Sequence, residues 1–243
     1  MDCSSHADRR SSACLKVSFE KPKQPLMTIK PSPELEHLLK GYRHFREEDW
    51  TPKLERWKQL RRGQDPQVMI IACSDSRVDP AQIFDTDPGE IFVVRNVAAL
   101  VPPFETIPGH HGVSAALEFA VHVLKVKKIV VMGHGACGGC RVALTREMRG
   151  AQLGEGGFVA DWISLLDQAR EPIAATLGTS GPLAERAMEL AGVKVSLDNL
   201  RTFPSIRQKE ADGQLKLRGA YFAISDGVLH LLDESTGEFD VTP

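Results

Sequence analysis

Val68-Met69-Ile70-Ile71-Ala72-Cys73-Ser74-Asp75-Ser76-Arg77 and Ile129-Val130-Val131-Met132-Gly133-His134-Gly135-Ala136-Cys137-Gly138-Gly139-Cys140 are the two stretches on which the fold turns. Each begins as a short, continuous apolar run, Val68 to Ala72 and Ile129 to Met132, and passes directly into small and polar residues. Runs of that length without polar alternation suit strands buried on both faces. A third run, Ile91 to Val94, lies between them. It is followed by a helical stripe of Val113, Ala116, Leu117, Ala120, Val121 and Leu124. Strands that alternate with helices predict an α/β fold with a mainly parallel central β-sheet and flanking helices.

Outward from this core, Ser32 reads as an N-cap with Pro33 at the first helical position and Leu35, Leu38, Leu39 and Tyr42 at helical spacing. Thr51-Pro52 repeats the device ahead of Leu54, Trp57 and Leu60. The two predict an N-terminal helical arm. Beyond the third strand, Arg141 to Arg149 continues as helix and Gly154-Glu155-Gly156-Gly157 marks a loop. Helices are expected through Ile163 to Leu166, Leu183 to Leu190 and Val195 to Leu200. Tyr221 to Ile224 and Val228 to Leu232 flank Ser225-Asp226-Gly227, a C-terminal β-hairpin signal. Residues 1–26 are polar, lack a sustained period and read as a poorly ordered extension. Residues 27–243 read as a single domain, with Met27 an alternative start.

Of 243 residues, 42% are hydrophobic and 26% charged, which excludes a wholly disordered or fibrous chain. Thirty Lys and Arg against 32 Asp and Glu give a net charge of −2, which provides no footprint for nucleic acid or an anionic membrane. No apolar run approaches the ~20 residues of a membrane span. Five cysteines, Cys3, Cys14, Cys73, Cys137 and Cys140, are an odd number in a chain too long to need disulfide staples. A cytoplasmic location is expected, with organelle targeting the alternative.

Cys73 and the His134 to Cys137 cluster leave the C-terminal ends of two predicted parallel strands, the edge at which open α/β sheets bind ligands. Cys, His and Cys are donor types that zinc prefers, and three protein ligands leave a fourth position open for water. The small residues around His134 and Cys137 let the backbone turn tightly. Cys137 falls at an expected helix start, where backbone N–H groups favour a thiolate.

These strings resemble the β-class carbonic anhydrases, zinc enzymes that hydrate carbon dioxide. Cys73-Ser74-Asp75-Ser76-Arg77 and Gly133-His134-Gly135-Ala136-Cys137-Gly138-Gly139 match the two zinc motifs. Pro88-Gly89-Glu90, Val94-Arg95-Asn96-Val97-Ala98 and Ser196-Leu197-Asp198-Asn199-Leu200 match as well, and the similarity runs from about Leu35 to Leu232. The resemblance implies one Zn2+ per chain on Cys73, His134 and Cys137, and an Asp75–Arg77 catalytic dyad. Asp75 either takes a proton from the reacting water or occupies its place on the metal, depending on whether Arg77 holds it. Gln64 matches a substrate contact of the plant-like branch; Phe92, Val97 and Phe119 match an apolar substrate pocket, partly supplied across a dimer interface; Gly138 matches a backbone contact. The other branch, regulated by bicarbonate, carries tryptophan where this chain has Ile70, so that regulation is not expected.

The implied reaction is reversible conversion of CO2 and water to bicarbonate and a proton by zinc-activated hydroxide. Zinc lowers the pKa of bound water from ~15.7 to ~7, on the order of 12 kcal/mol of hydroxide stabilisation. A homodimer or dimer of dimers is implied. Hydrolysis of carbonyl sulfide or carbon disulfide and a non-catalytic zinc or bicarbonate sensor are the alternatives. Two positions depart from the family. Ala99 stands where asparagine is frequent, and Cys140 where an aliphatic residue is common. Cys140 is a fourth ligand, through its thiolate, that closes the site, a redox partner of Cys137, or a bystander. His110 and His111, ahead of the central helix, read as solvent-facing or as a proton shuttle.

Overall fold

In a computed structural model, residues 32–241 are described; the expected extension, Met27, Cys3 and Cys14 lie outside them. The chain divides into two compact units between Trp57 and Lys58. In the first, α1 (Pro33–His44) starts as its sequence predicts: the Ser32 hydroxyl accepts from Leu35 N at 3.4 Å, and Pro33 opens the first turn. Glu34 and Glu36 stand in that turn and Arg43 and His44 in the last, matching the helix dipole. A π-helical segment, Phe45–Trp50, extends it. Thr51 closes this segment, with both its N–H (3.0 Å) and its hydroxyl (2.6 Å) donating to Arg46 O. Its role is therefore that of a terminator, and not the N-cap that Thr51-Pro52 suggested. The helix α2 begins later (Leu54–Leu60), and Trp57 meets Phe45 edge-on at 5.9 Å.

The second unit is built on a six-stranded sheet. Its first strand β1 (Val68–Cys73) is followed by the short α3 (Pro80–Ile83), then β2 (Ile91–Asn96), a 3-10 turn Val97–Ala99, and α4 (Gly112–Glu118) extended by a π-helical Phe119–Leu124. Next come β3 (Lys128–His134), α5 (Gly138–Thr145), α6 (Gly157–Ile163), α7 (Asp167–Leu177), α8 (Pro182–Thr202) and α9 (Pro204–Ala211). The chain returns as β4 (Lys216–Ala223), β5 (Val228–Asp233) and β6 (Glu238–Val241). The strand order is β2-β1-β3-β4-β5-β6, parallel from β2 to β4 and antiparallel beyond.

Three features extend the sequence reading. Strand β4 starts at Lys216, ahead of the predicted Tyr221, and runs parallel to β3 with His134 opposite Phe222. The segments Leu183 to Leu190 and Val195 to Leu200 are one continuous helix, α8. Gly192 inside it faces Cys140, Leu100 and Leu166, so burial of the helix outweighs the low helix propensity of glycine. The predicted hairpin forms at Ser225-Asp226-Gly227, and β6 adds a further edge strand.

Because β1 has β2 on one side and β3 on the other, the connections leaving the two central strands diverge and open a crevice at their C-terminal ends. Both strands are anchored by burial of most of their residues. Met69, Ile71, Ile129 and Val131 pack with Leu117, Val121, Leu197 and Leu200 on one face, and Ile70, Ala72, Met132 and Ala220 pack together on the other. No helix among the described residues is long and apolar enough to cross a membrane.

Candidate metal centre

Cys73 is the last residue of β1, His134 the last of β3, and Cys137 the N-cap of α5. Their ligand atoms lie within 4.8 Å of one another, and all three residues are buried. His134 Nδ1 sits 2.9 Å from Gly135 O, which places its proton there and leaves the lone pair on Nε2. That Nε2 is buried with no hydrogen-bond partner. A buried acceptor without a partner, grouped with two sulfurs, is satisfied by a bound cation, so these residues fit a thiophilic divalent metal with three protein ligands. The Cys137 thiol, then burial, pushes Cys73 up to about 12. The Cys140 thiol, then burial against a lowering contact from Cys73, pushes Cys137 up to about 12. Both shifts favour the protonated thiols, and a cation held by the two sulfurs would displace their protons.

Cys140 is 3% exposed on the first turn of α5 and stands outside the three-ligand cluster. Gly139, beside it, is required by space. A Cβ there would lie 2.8 Å from Val97 Cγ1 and 3.0 Å from Ala98 Cβ, whereas one on Gly138 would meet nothing within 4 Å.

Asp75 and Arg77 form a closed pair. Arg77 donates from its backbone N (2.9 Å) and Nε (2.9 Å) to Asp75 Oδ1, and from Nη2 to Oδ2 (2.7 Å). The guanidinium hydrogen bonds hold the Asp75 carboxyl well below the usual carboxylate range. Arg77 Nη2 also reaches Ala136 O at 3.0 Å, in the loop between the second and third ligands.

Sequence reasoning missed two residues that build this centre. Arg95 of β2 donates to Cys73 O (2.9 Å), Asp75 O (2.6 Å) and Asp79 Oδ2 (3.0 Å), which fixes the backbone on both sides of Ser74. It was visible only as part of a matching string. Glu189 of α8 is 5% exposed and accepts from Cys137 N (3.0 Å) and the Tyr221 hydroxyl (2.8 Å); burial raises its pKa above the ordinary value. No local pattern marks it, because its partners are 52 and 32 residues away.

The remaining expected residues stand outside the Cys73, His134 and Cys137 cluster. Phe92 and Phe119 stack at 5.9 Å, with Phe119 43% exposed. Val97 is 38% exposed and lines a cleft of about 670 Å3 with His110, His111 and Trp162. His111 is held by Ile107 O at 2.8 Å. Gln64 is exposed in the loop before β1. Ala99 has φ 56, a left-handed conformation that asparagine tolerates better than alanine, which explains why asparagine is frequent there.

A mainly parallel α/β sheet that presents a Cys-His-Cys cluster and an ion-paired carboxylate at one crevice defines a single-metal enzyme architecture. Residues 68–229 match the family model described as carbonic anhydrase. Beta carbonic anhydrase 3 of Arabidopsis thaliana is 32% identical over 212 residues, 86% of this chain and 80% of that protein. The solved β-carbonic anhydrase CcaA superposes with a TM-score of 0.79 at 28% identity, over 86% of this chain and 100% of its own. A tetrameric β-carbonic anhydrase from Sordaria macrospora gives 0.70 at 28% identity, covering 82% and 97%. The chain belongs to the carbonic anhydrase family, in its β class, and is a carbonate dehydratase.

Proposed function

We propose that the protein carries out reversible hydration of CO2 at a Zn2+ held by Cys73, His134 and Cys137. The observation that carries this reading is the unpartnered, buried His134 Nε2 grouped with two buried sulfurs, together with a carboxylate already committed to Arg77. When bound, zinc supplies the Lewis acidity that makes hydroxide available from water near neutral pH.

The residues of the chain do the rest. With both Asp75 oxygens engaged by Arg77, the carboxylate is kept from swinging into the ligand set, and its remaining lone pairs orient the reacting water and accept its hydrogen bond. Phe92, Phe119 and Val97 offer the apolar surface that suits a small linear molecule, and Gly138, the first residue of α5, is the match to the family's backbone contact with substrate. Gln64 stands where the plant-like branch contacts substrate, and Ile70 agrees with that branch.

Two thiolates neutralise a 2+ ion, so less acidic water is expected than with three neutral histidines, and activity rises toward alkaline pH. Stopped-flow CO2 hydration with zinc quantification, on the parent and on Asp75→Asn, tests the assignment. One zinc per chain with turnover that climbs between neutral and alkaline pH, and falls in Asp75→Asn, supports it. Stoichiometric zinc without hydration at any pH overturns it. Assembly as a dimer or dimer of dimers is part of the same reading. Leu35, Leu38 and Tyr42 on α1 are 48%, 67% and 54% exposed, an apolar stripe suited to a second copy. Light scattering of a monomer at working concentration would refute that part.

A further inference from the structure

The peptide unit that joins Ala136 to Cys137 is held at both ends by charged side chains. Its carbonyl oxygen accepts from Arg77 Nη2 at 3.0 Å, and its N–H donates to Glu189 Oε1 at 3.0 Å. A trans peptide is planar, with C=O and N–H pointing to opposite sides, so these two contacts together define the orientation of the plane. Rotation about its flanking bonds would lose both. Ala136 itself has φ 55, a left-handed conformation that costs an L-residue roughly 1–2 kcal/mol and persists only where the surroundings enforce it. Cys137 follows immediately, as the N-cap of α5, with no capping hydrogen bond from its own side chain.

We propose that Glu189 is a positioning residue: opposite Arg77, it clamps the Ala136–Cys137 peptide and thereby sets the direction in which Cys137 presents its sulfur to the metal. The carboxylate is itself oriented. The Tyr221 hydroxyl donates to Oε2 at 2.8 Å, and the Arg186 guanidinium lies 4.5 Å from the centre of the Tyr221 ring. Glu189, Tyr221 and Arg186 line a cavity of about 380 Å3 whose wall includes Gly135 and Ala136, the two residues between the second and third ligands. The clamp also joins the metal loop to the catalytic dyad. The same Nη2 that holds Ala136 O holds Asp75 Oδ2, so a displaced peptide removes one of the contacts that keep Arg77 over Asp75. The inference rests on the metal reading above and assigns to a distant helix residue the task of fixing one ligand. Partners of this kind typically change metal affinity or activity by ~10–100-fold when removed.

The test compares the full-length protein with Glu189→Ala, Glu189→Gln and Glu189→Asp. It measures chelator-driven zinc release, the thiolate-to-cobalt charge-transfer band of the cobalt-substituted protein, and the circular dichroism spectrum. A parent that takes up no cobalt with such a band overturns the metal reading and this one with it. Given that band, Glu189→Ala is expected to release zinc ~10–100-fold faster and to displace the band, while Glu189→Gln, which still accepts from Cys137 N, stays within about fivefold of the parent. A folded Glu189→Ala with release within about twofold and an unmoved band overturns the clamp. So does a Gln variant displaced as far as the Ala one. If Glu189→Ala does not fold, Glu189→Asp decides, since it keeps the charge but withdraws it by one methylene. A displaced band supports the clamp and an unmoved one overturns it.

Discussion

Replacing Arg95 by Met tests how the first ligand is held. The substitution keeps most of the apolar stem and deletes three hydrogen bonds: to Cys73 O at 2.9 Å, to Asp75 O at 2.6 Å and to Asp79 Oδ2 at 3.0 Å. Charge-assisted bonds contribute ~1.5–3 kcal/mol each. The two carbonyl contacts are taken at the lower end, because the Arg95 side chain retains 28% exposure; together they amount to about 3 kcal/mol. The Asp79 pair, 40% exposed on the acid side, adds only about 0–1 kcal/mol. A loss of about 3 kcal/mol is a large share of the ~5–15 kcal/mol typical of a folded domain and lowers Tm by about 6–12 °C in one of this size. Circular dichroism melts of metal-loaded and chelator-stripped protein provide the assay; the stripped form isolates the backbone contacts from metal binding. Arg95→Lys, which reaches one carbonyl, should lose about half as much, and Asp79→Asn less than about 1 kcal/mol. A stripped Arg95→Met that melts within about 2 °C of the parent would refute the reasoning.

Other consequences are open to direct measurement. Cys140→Ser should keep one zinc per chain and turnover within about threefold, since Cys140 stands outside the three-ligand cluster; loss of zinc would mean a closed site of three thiolates and His134. Arg77 holds the Asp75 pKa below its unfolded value of about 3.9, so the pair's contribution to stability is present above that value and is lost as pH falls through the lower folded one. In urea denaturation, the difference between the parent and Asp75→Asn should stay flat from pH 7 to about 4 and narrow below; a difference that changes between about pH 5 and 7 contradicts the assignment. Ser196, fully buried, accepts from Val101 N at 3.2 Å and donates to Ala99 O at 3.3 Å. Ser196→Ala orphans both groups and should cost about 1–3 kcal/mol in urea unfolding, whereas a loss under about 0.5 kcal/mol would show that the turn relaxes freely.

Some of this architecture is written locally and some is not. The strands β1 and β3 announce themselves because burial on both faces demands continuous apolar runs, β2 carries such a run although it is only half-buried, and Asp226-Gly227 marks its hairpin through turn chemistry. The first half of β4 escapes such reading. Lys216 and Arg218 alternate with Leu217 and Gly219, and that segment is a strand because β3 pairs with it. The two helical segments read at Leu183 to Leu190 and Val195 to Leu200 are one helix because Gly192 between them packs against Leu100 and Leu166. Thr51 reads as a cap and acts as a stop, because its hydroxyl finds Arg46 O before any following helix.

The sequence by itself pointed to the sheet core and to sulfur and imidazole donors at strand ends, and its resemblance to a known family singled out Cys73, His134, Cys137 and the Asp75–Arg77 pair, because these depend on residue type and short spacing. Only the tertiary structure decided how the ligands are held. Arg95 reaches back across β1 to the carbonyls beside Cys73, and Glu189 comes from α8 to the Cys137 amide, a residue that helical patterning alone treats as one more surface charge. Hydrogen bonds to backbone groups carry no residue code in the partner, so nothing near Cys73 or Cys137 in the chain points to them until the fold brings them within 3.0 Å.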